Sequence, residues 1–186
     1  MARAVLVNSV LDSLPTYAMM ALSLPPALIT AMDSLRRAFM WTREDKVSGA
    51  DCLIAWDMVT RPKECGGLGI RDLAVQNRCL LMKLVHCLHN PAASSWAAWA
   101  QEHVDLPSMD GTIAGDHWET IRALLPAYQD ITVVEVGDSR TTSFWRDAWL
   151  HIGRLADVLP ALYSHSLRPT TSVRGVVNDG VRAHLV

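Results

Sequence analysis

The chain has 186 residues, half of them apolar, and a formal charge of −2. That is enough length and apolar surface for a buried core, and it excludes both a disordered polar tail and a broadly basic polyanion binder. The charge is uneven, with ten Lys/Arg against eight Asp/Glu in residues 1–90 and seven against eleven in residues 91–186, so any nucleic-acid contact has to be local and is expected in the first half.

The N-terminal elements are predicted to be helical. Leu6, Val7, Val10, Leu11 and Leu14 repeat at helical spacing, and Pro15 marks an end or a kink. The uncharged stretch from Ser13 to Met32 is long enough to cross a bilayer, but Pro15, Pro25 and Pro26 would leave backbone groups unpaired in lipid. No membrane span is expected. Asn8, Ser9 and Asp12 interrupt the apolar region a secretory signal would need, so the expected location is intracellular, nucleus or cytoplasm.

A second helix is predicted from Pro25–Pro26, with Leu28, Ile29, Met32, Leu35, Phe39 and Met40 on its apolar side and Arg36 and Arg37 toward its exposed edge. Thr42 to Gly49 reads as a charged loop, and Leu53, Ile54 and Trp56 form a short segment compatible with strand or helix. Arg61 to Ile70, with one proline and three glycines, has to be a turn-rich connection. Asp72 stands at the N-cap position of the clearest amphipathic helix, carried by Leu73, Leu80, Leu81, Leu84 and Leu88 and stopped at Asn90-Pro91.

Trp96, Trp99, Ala100 and Val104 predict a helix entered through Ser94 or Ser95. Asp116 and Glu119 resemble a capping box, with Asp116 as cap, for a helix carrying Trp118, Ile121, Leu124 and Leu125. After Pro126 the pattern changes: Ile131–Val136 and Thr141–Trp145, joined at Gly137-Asp138, predict a β-hairpin. Leu155–Leu162 predicts one short helix, and 168–186 reads as loop with a possible strand. The expected fold class is mainly α, a helical bundle over 1–126 followed over 127–186 by a small β-hairpin and an irregular C-terminal tail.

Chemistry-bearing motifs are sparse. There is no G-x-x-x-x-G-K-[ST] phosphate loop, no G-x-S-x-G elbow and no Asp-Asp pair, while Gly66-Gly67-Leu68-Gly69 lacks the spacing of a dinucleotide fingerprint. Glu44-Asp45 lies in the charged loop and reads as solvated surface. Asp57, next to Trp56, and Asp147, two residues from both Trp145 and Trp149, read as structural acceptors. Cys52, Cys65, Cys79 and Cys87 form no C-x-x-C pair and are expected to be reduced, largely buried thiols. A zinc site with His86 and His89 is disfavoured, because Cys79 and His86 would stand about 10 Å apart along a helix. No metal, cofactor or small-molecule substrate is expected.

An ordered series of short words, spanning residues 4–165, resembles one family. It comprises Val10-Leu11-Asp12-Ser13-Leu14-Pro15-Thr16-Tyr17, Leu24-Pro25, Arg37-Ala38-Phe39-Met40-Trp41, Ala55-Trp56-Asp57 and Arg61-Pro62-Lys63. It continues with Gly66-Gly67-Leu68-Gly69-Ile70, Asn77, Leu81, Lys83, Val136-Gly137-Asp138, Phe144-Trp145-Arg146-Asp147-Ala148-Trp149-Leu150 and Leu159-Pro160-Ala161-Leu162-Tyr163. The series is similar to the thumb-side and linker region of reverse transcriptases from plant non-LTR (LINE-type) retrotransposons. Ser139 departs from it where the family often has a second hairpin glycine.

The resemblance implies that the catalytic carboxylates belong to a palm preceding Met1, and that a Cys/His zinc-binding region and any ribonuclease H domain follow Val186. The isolated chain is therefore expected to be non-catalytic. In a full-length parent its partner would be the palm, and its own contact would be with RNA or DNA backbone. The candidate cations are Arg36, Arg37, Arg43, Lys46, Arg61, Lys63, Arg71, Arg78 and Lys83, which could equally be the charged outer faces of amphipathic helices. Trp41 and Trp56 could stack on bases, but core anchoring is the expected use. The alternative function is a domesticated protein-interaction module using tryptophan-rich apolar surface.

Overall fold

The computed structural model describes residues 2–42, 46–90 and 94–186, and its packing separates two compact units, Met1–Leu84 and Val85–Val186. The chain is mainly helical with one small antiparallel strand pair, as its residue patterns predict.

In the first unit, α1 (Ala2–Leu6) runs into a π-helical turn, Val7–Leu11, and then α2 (Thr16–Ala21). The expected interruption is present: residues 12–15 form a turn, and Pro15 is the N-cap of α2. The π-turn closes with Asp12 N–H donating to the Val7 carbonyl at 2.9 Å, and Ser13 and Thr16 make three-residue bonds to Val10 and Ser13. These carry the chain past the residue that has no N–H, and Pro15 then accepts from Met19 N–H at 2.9 Å. Val7, Asp12 and Met19 form the buried side of this segment.

α3 (Pro26–Trp41) begins at its proline, as expected. Its orientation differs from the expected one. Its buried residues are Arg36, Ala38 and Met40, with Ile29, Met32, Asp33 and Phe39 half-buried, while Leu28 and Leu35 are exposed. Arg36 is pulled inside by Asp12, a buried carboxylate that an apolar face could not accommodate. The apolar cluster beneath consists of Val7, Met40, Val59 and Ile70, with Phe39, Trp41 and Trp56 packed against it. Trp41 and Trp56 are thus core anchors, and the Arg36 and Arg37 guanidiniums lie 5.3 and 5.7 Å from the Trp56 ring centre. Trp56 opens the short helix α4 (Trp56–Val59), whereas Leu53 and Ile54 before it are exposed.

The glycine-rich connection folds back on α4. Gly66 and Gly69 adopt φ of 80° and 66°, and Gly67 N–H reaches the Pro62 carbonyl at 3.1 Å. A Cβ on Gly67 would meet the Arg61 carbonyl oxygen at 2.0 Å, whereas nothing lies within 4 Å of one on Gly66. Gly67→Ala therefore forces the backbone apart and should cost about 3 kcal/mol or more, against about 1–2 kcal/mol for the left-handed strain of Gly66→Ala. Urea melts of both variants check this ranking, and equal costs would contradict the close approach.

α5 (Leu73–His89) is capped by Asp72, whose Oδ1 accepts from Val75 N–H at 3.0 Å, as its sequence predicts. Its buried stripe is Leu73, Asn77, Leu81, Val85 and Leu88, the last five residues of the helix belonging to the second unit. Asn77 is the polar member. Its amide donates to the Met19 and Leu22 carbonyls at 2.9 and 2.8 Å and its Oδ1 accepts from Leu24 N–H at 2.8 Å, which satisfies the backbone between α2 and α3.

In the second unit, α6 (Ser95–His103) is capped by Ser94. β1 (Val104–Asp105) pairs antiparallel with β2 (Asp110–Gly111) around buried Met109, which takes φ 54°. This is the small hairpin of the fold, and it lies before the predicted one. At 131–145 no ladder forms: Val134 N–H instead meets the Ala148 carbonyl, and Ser143 bridges Ser172. The β-branched run finds its partners in distant segments rather than across its own turn.

α7 (Asp116–Arg122) starts one residue early. Gly115 is the cap, and Glu119 pairs with Arg122 at 3.6 Å instead of reaching back, so Asp116 faces the helix dipole from inside the first turn. α8 (Leu125–Ile131) follows, then α9 (Leu155–Val158) and α10 (Pro160–Ser164), which split at Pro160. The tail expected to be irregular is helical. α11 (Val173–Asp179) is capped by Ser172 and buries Val173 and Val176, and a 3-10 turn covers Val181–His184. A seven-residue helix with two valines inside carries too short a period to stand out in sequence.

Candidate functional site

The predicted cations of the first unit fall into two groups. Arg36 is structural: its Nη2 lies 2.8 Å from Asp12 Oδ1 and donates to the Arg71 carbonyl at 2.6 Å, and its Nη1 meets Asp33 Oδ1 at 2.6 Å. Both the arginine and Asp12 are buried. This corrects its assignment to an exposed, nucleic-acid-facing edge. Arg37 is half-buried, bonded through Nε to the Asp33 carbonyl and set over Trp56. Arg43 lies outside the described residues.

The second group, Lys46, Arg61, Lys63, Arg71, Arg78 and Lys83, is exposed. Arg61 stands 3.6 Å from Asp57, itself exposed, a solvent-screened pair of little strength. The other five form no close ion pair among the described residues, although Arg71 also acts on the buried Asp12 carboxylate through its charge. The Lys63 stem lies along Gly69, whose glycine backbone admits it, so the chain segment is fixed while the ammonium stays in water. Arg78 and Lys83 on α5 are five positions apart and therefore about 140° apart around the axis. One flat surface does not present both.

The remaining motif residues explain themselves as architecture. Leu68 is exposed on the glycine turn, whose N–H donates to the Val59 carbonyl. Phe144, Trp145 and Trp149 form an aromatic cluster with Tyr163, and the Trp149 indole N–H donates to the Phe144 carbonyl at 2.9 Å. Asp147 accepts from Ser143 N–H at 2.7 Å and so holds the turn that carries this cluster.

Asp147 also borders a cleft of about 1000 Å³ in the second unit, walled by His86, His89, Tyr128, Gln129, Arg146 and Arg154 among others. Burial raises its carboxyl above the ordinary value, opposed by the Ser143 N–H and by His89 and reinforced by Asp105. Tyr128 is raised by burial and by Asp147 and Cys87, which keeps its phenol protonated, and its hydroxyl lies 3.1 Å from His86 Nδ1. Arg146 joins Asp105 Oδ2 at 2.8 Å and Tyr163 Oη at 3.1 Å, and Arg154 bonds Gln129 and Asp157. The two arginines are thus committed to protein partners, and the wall offers hydrogen bonding rather than a free cation.

In sequence His86 and His89 read as ordinary helix residues, and Tyr128 and Arg146 carry no mark of a lining position. No local signal exists for a cleft assembled from four separate segments. Cys65, Cys79 and Cys87 are exposed and Cys52 is intermediate, which corrects the expectation of buried thiols. Among the described residues no three His, Cys, Asp or Glu side chains gather closely enough to hold a metal ion. No helix among them is long and apolar enough to cross a membrane.

Comparison with known proteins adds two relatives, both from Arabidopsis thaliana. One is named "Putative ribonuclease H protein" and is 30% identical over 162 residues, 80% of this chain and 25% of that protein. The other, an uncharacterized mitochondrial protein, is 27% identical over 147 residues, 74% of this chain and 93% of that protein. The chain thus spans about a quarter of the first relative and nearly all of the second. No family model matches the chain, and no solved structure matches it.

Proposed function

We propose that the chain is a retroelement-derived polypeptide equivalent to the post-palm, thumb-side and linker region of a plant non-LTR reverse transcriptase. Its own role is to hold RNA or DNA by the sugar–phosphate backbone, without a catalytic centre of its own. In a full-length parent the polymerase palm is its partner. The similarity to the protein named for ribonuclease H supports the retroelement reading, and the ordered words from Val10 to Tyr163 support the region within it.

The observation that carries the binding role is the group of exposed cations that form no close ion pair among the described residues, Lys46, Lys63, Arg71, Arg78 and Lys83, in the more basic part of the chain. Phosphate contact needs such side chains, able to replace condensed counterions. A chain of overall charge −2 gains little long-range attraction, so binding is weak and salt-sensitive.

Filter binding of single-stranded and duplex oligonucleotides across a salt series tests this. The affinity should fall with salt at a log–log slope of about −0.7 to −0.9 per phosphate contact. The triple variant Lys63→Gln, Arg71→Gln, Arg78→Gln should weaken binding for every sequence alike and flatten the slope by about one per lost contact. Absence of binding at low salt, or a slope untouched by the triple variant, would remove the proposal.

A further inference from the structure

The glycine-rich connection from Arg61 to Asp72 is held in place by groups outside it as well as by its own backbone. Gly69 N–H donates to the Arg61 carbonyl at 3.0 Å, and Leu68 N–H donates to the Val59 carbonyl at 3.1 Å. The Gly69 carbonyl accepts from Asn8 Nδ2 at 3.1 Å, and the Arg71 carbonyl accepts from Nη2 of buried Arg36 at 2.6 Å. Ile70, between these two anchored carbonyls, is fully buried. Residues 69–71 are thus fixed on both sides of a core residue, while the side chains of Lys63 and Arg71 remain exposed.

Lys63 is fixed beyond its backbone. A Cβ built on Gly69, which takes φ 66°, would lie 3.2, 3.4 and 3.8 Å from Lys63 Cγ, Cε and Cδ. The lysine stem therefore runs through the space that a side chain at 69 would fill. Its ammonium, one bond beyond Cε, comes out beside Gly69, two residues from Arg71. A lysine laid on backbone in this way gives up less rotamer freedom on meeting a ligand than one free in water.

Two acids share the loop. Asp72 spends Oδ1 on the cap of α5, whereas Glu64, next to Lys63, is exposed and forms no ion pair among the described residues. Arg61 is opposed by Asp57, and Arg71 acts in part on buried Asp12. The loop is therefore close to neutral and draws no polyanion from a distance. What it offers is two cations on one anchored segment, an arrangement that suits neighbouring phosphates of one strand.

We propose that Lys63 and Arg71 form a two-point clamp on adjacent phosphates of a single nucleic-acid strand, with Gly69 as the positioning residue that presets Lys63. The clamp rests on the backbone-binding role given above and names its site, so that Lys83, on α5, contributes less.

Fluorescence anisotropy of the whole chain at low salt, with a labelled oligodeoxythymidine and with its RNA counterpart, is the test. Gly69→Asn is expected to weaken binding about two- to tenfold, because asparagine accepts the left-handed backbone while its Cβ displaces the lysine stem. In a Lys63→Gln background the same substitution should change nothing further, whereas a loop merely loosened would weaken binding in both backgrounds. Glu64→Gln removes the exposed acid beside Lys63 and should tighten binding about twofold, a gain that no loss of fold can imitate. Lys83→Gln should cost less than Lys63→Gln, and DNA and RNA should rank the variants alike, since neither cation reads sugar or base. A wild-type chain that binds neither strand would remove the binding role and the clamp together. Wild-type binding that is unmoved by Gly69→Asn or by Glu64→Gln, is weakened equally by Gly69→Asn in both backgrounds, depends more on Lys83 than on Lys63, or ranks the variants differently on the two strands would leave the binding role standing and overturn the clamp.

Discussion

Arg36→Met is expected to destabilise the first unit by about 3–5 kcal/mol at neutral pH, because it leaves the buried Asp12 carboxylate without its cation. Methionine fills much of the same volume, so the loss is electrostatic rather than a cavity effect. Asp12 has no exposure, and the guanidinium 2.8 Å away is its direct counter-ion. Asp33, the second carboxylate on Arg36, is partly exposed and can turn to water when the arginine is gone. The cost therefore falls on Asp12.

The pH dependence separates this mechanism from simple loss of packing. Burial, the largest influence, holds the Asp12 carboxyl above its usual 3.8 in spite of the lowering effect of Arg36. A carboxyl raised in the folded state binds protons where the unfolded chain has released them. Its contribution to stability is therefore complete below 3.8 and is lost as pH rises through the folded value. Removing Arg36 takes away its strongest opposing influence and raises that value further. The variant should accordingly be weakest near neutral pH and regain stability relative to wild type as pH falls toward 3.8. Adding Asp12→Asn should restore most of the loss and abolish its pH dependence. Urea denaturation at several pH values reads all three chains, and a deficit below about 1 kcal/mol, or one constant with pH, would show that the pair is not what holds α3 in place.

The 3.6-residue period correctly identifies α3 and its proline start, but it assigns the inner face by hydropathy, and Leu28, Leu35 and Arg36 are thereby placed wrongly. The information was present in another form: Asp12 is the lone charge in a long uncharged run, and a charge in such a setting needs a partner from elsewhere in the chain. α5, with its Asp72 cap, and α6, with its Ser94 cap, are legible because local hydrogen bonds fix them. Strands β1 and β2 are two residues long and leave no alternating pattern to find. Of the candidate cations, spacing could name the lysines and arginines but could not say which were committed to carbonyls and carboxylates. The cleft around Tyr128 and Asp147 depends on tertiary pairing and has no sequence signature.

In the second unit, truncation of Trp145 is the change expected to cost most. The side chain is 1% exposed, meets Phe144 edge-on with ring centres 5.0 Å apart, and faces Tyr163 at 5.6 Å. Its carbonyl also receives the Ala156 N–H at 2.9 Å, which ties the turn after Ser143 to α9. Trp145→Ala would leave a large cavity between the aromatic rings and α9, and should destabilise by about 3–5 kcal/mol, with loss of the near-ultraviolet aromatic signal and faster exchange of the Ala156 amide. Trp145→Phe is expected to behave quite differently. The indole N–H is buried with no acceptor among the described residues, so the tryptophan already bears an unpaired donor. Phenylalanine gives up part of the contact area but removes that donor, and the two effects partly offset each other. The phenylalanine variant should lose no more than about 1.5 kcal/mol, within the range of volume-conserving core exchanges. If both variants proved equally damaging, the indole N–H would have to be engaged in the folded protein, and the cluster would be held by that bond rather than by packing of its rings.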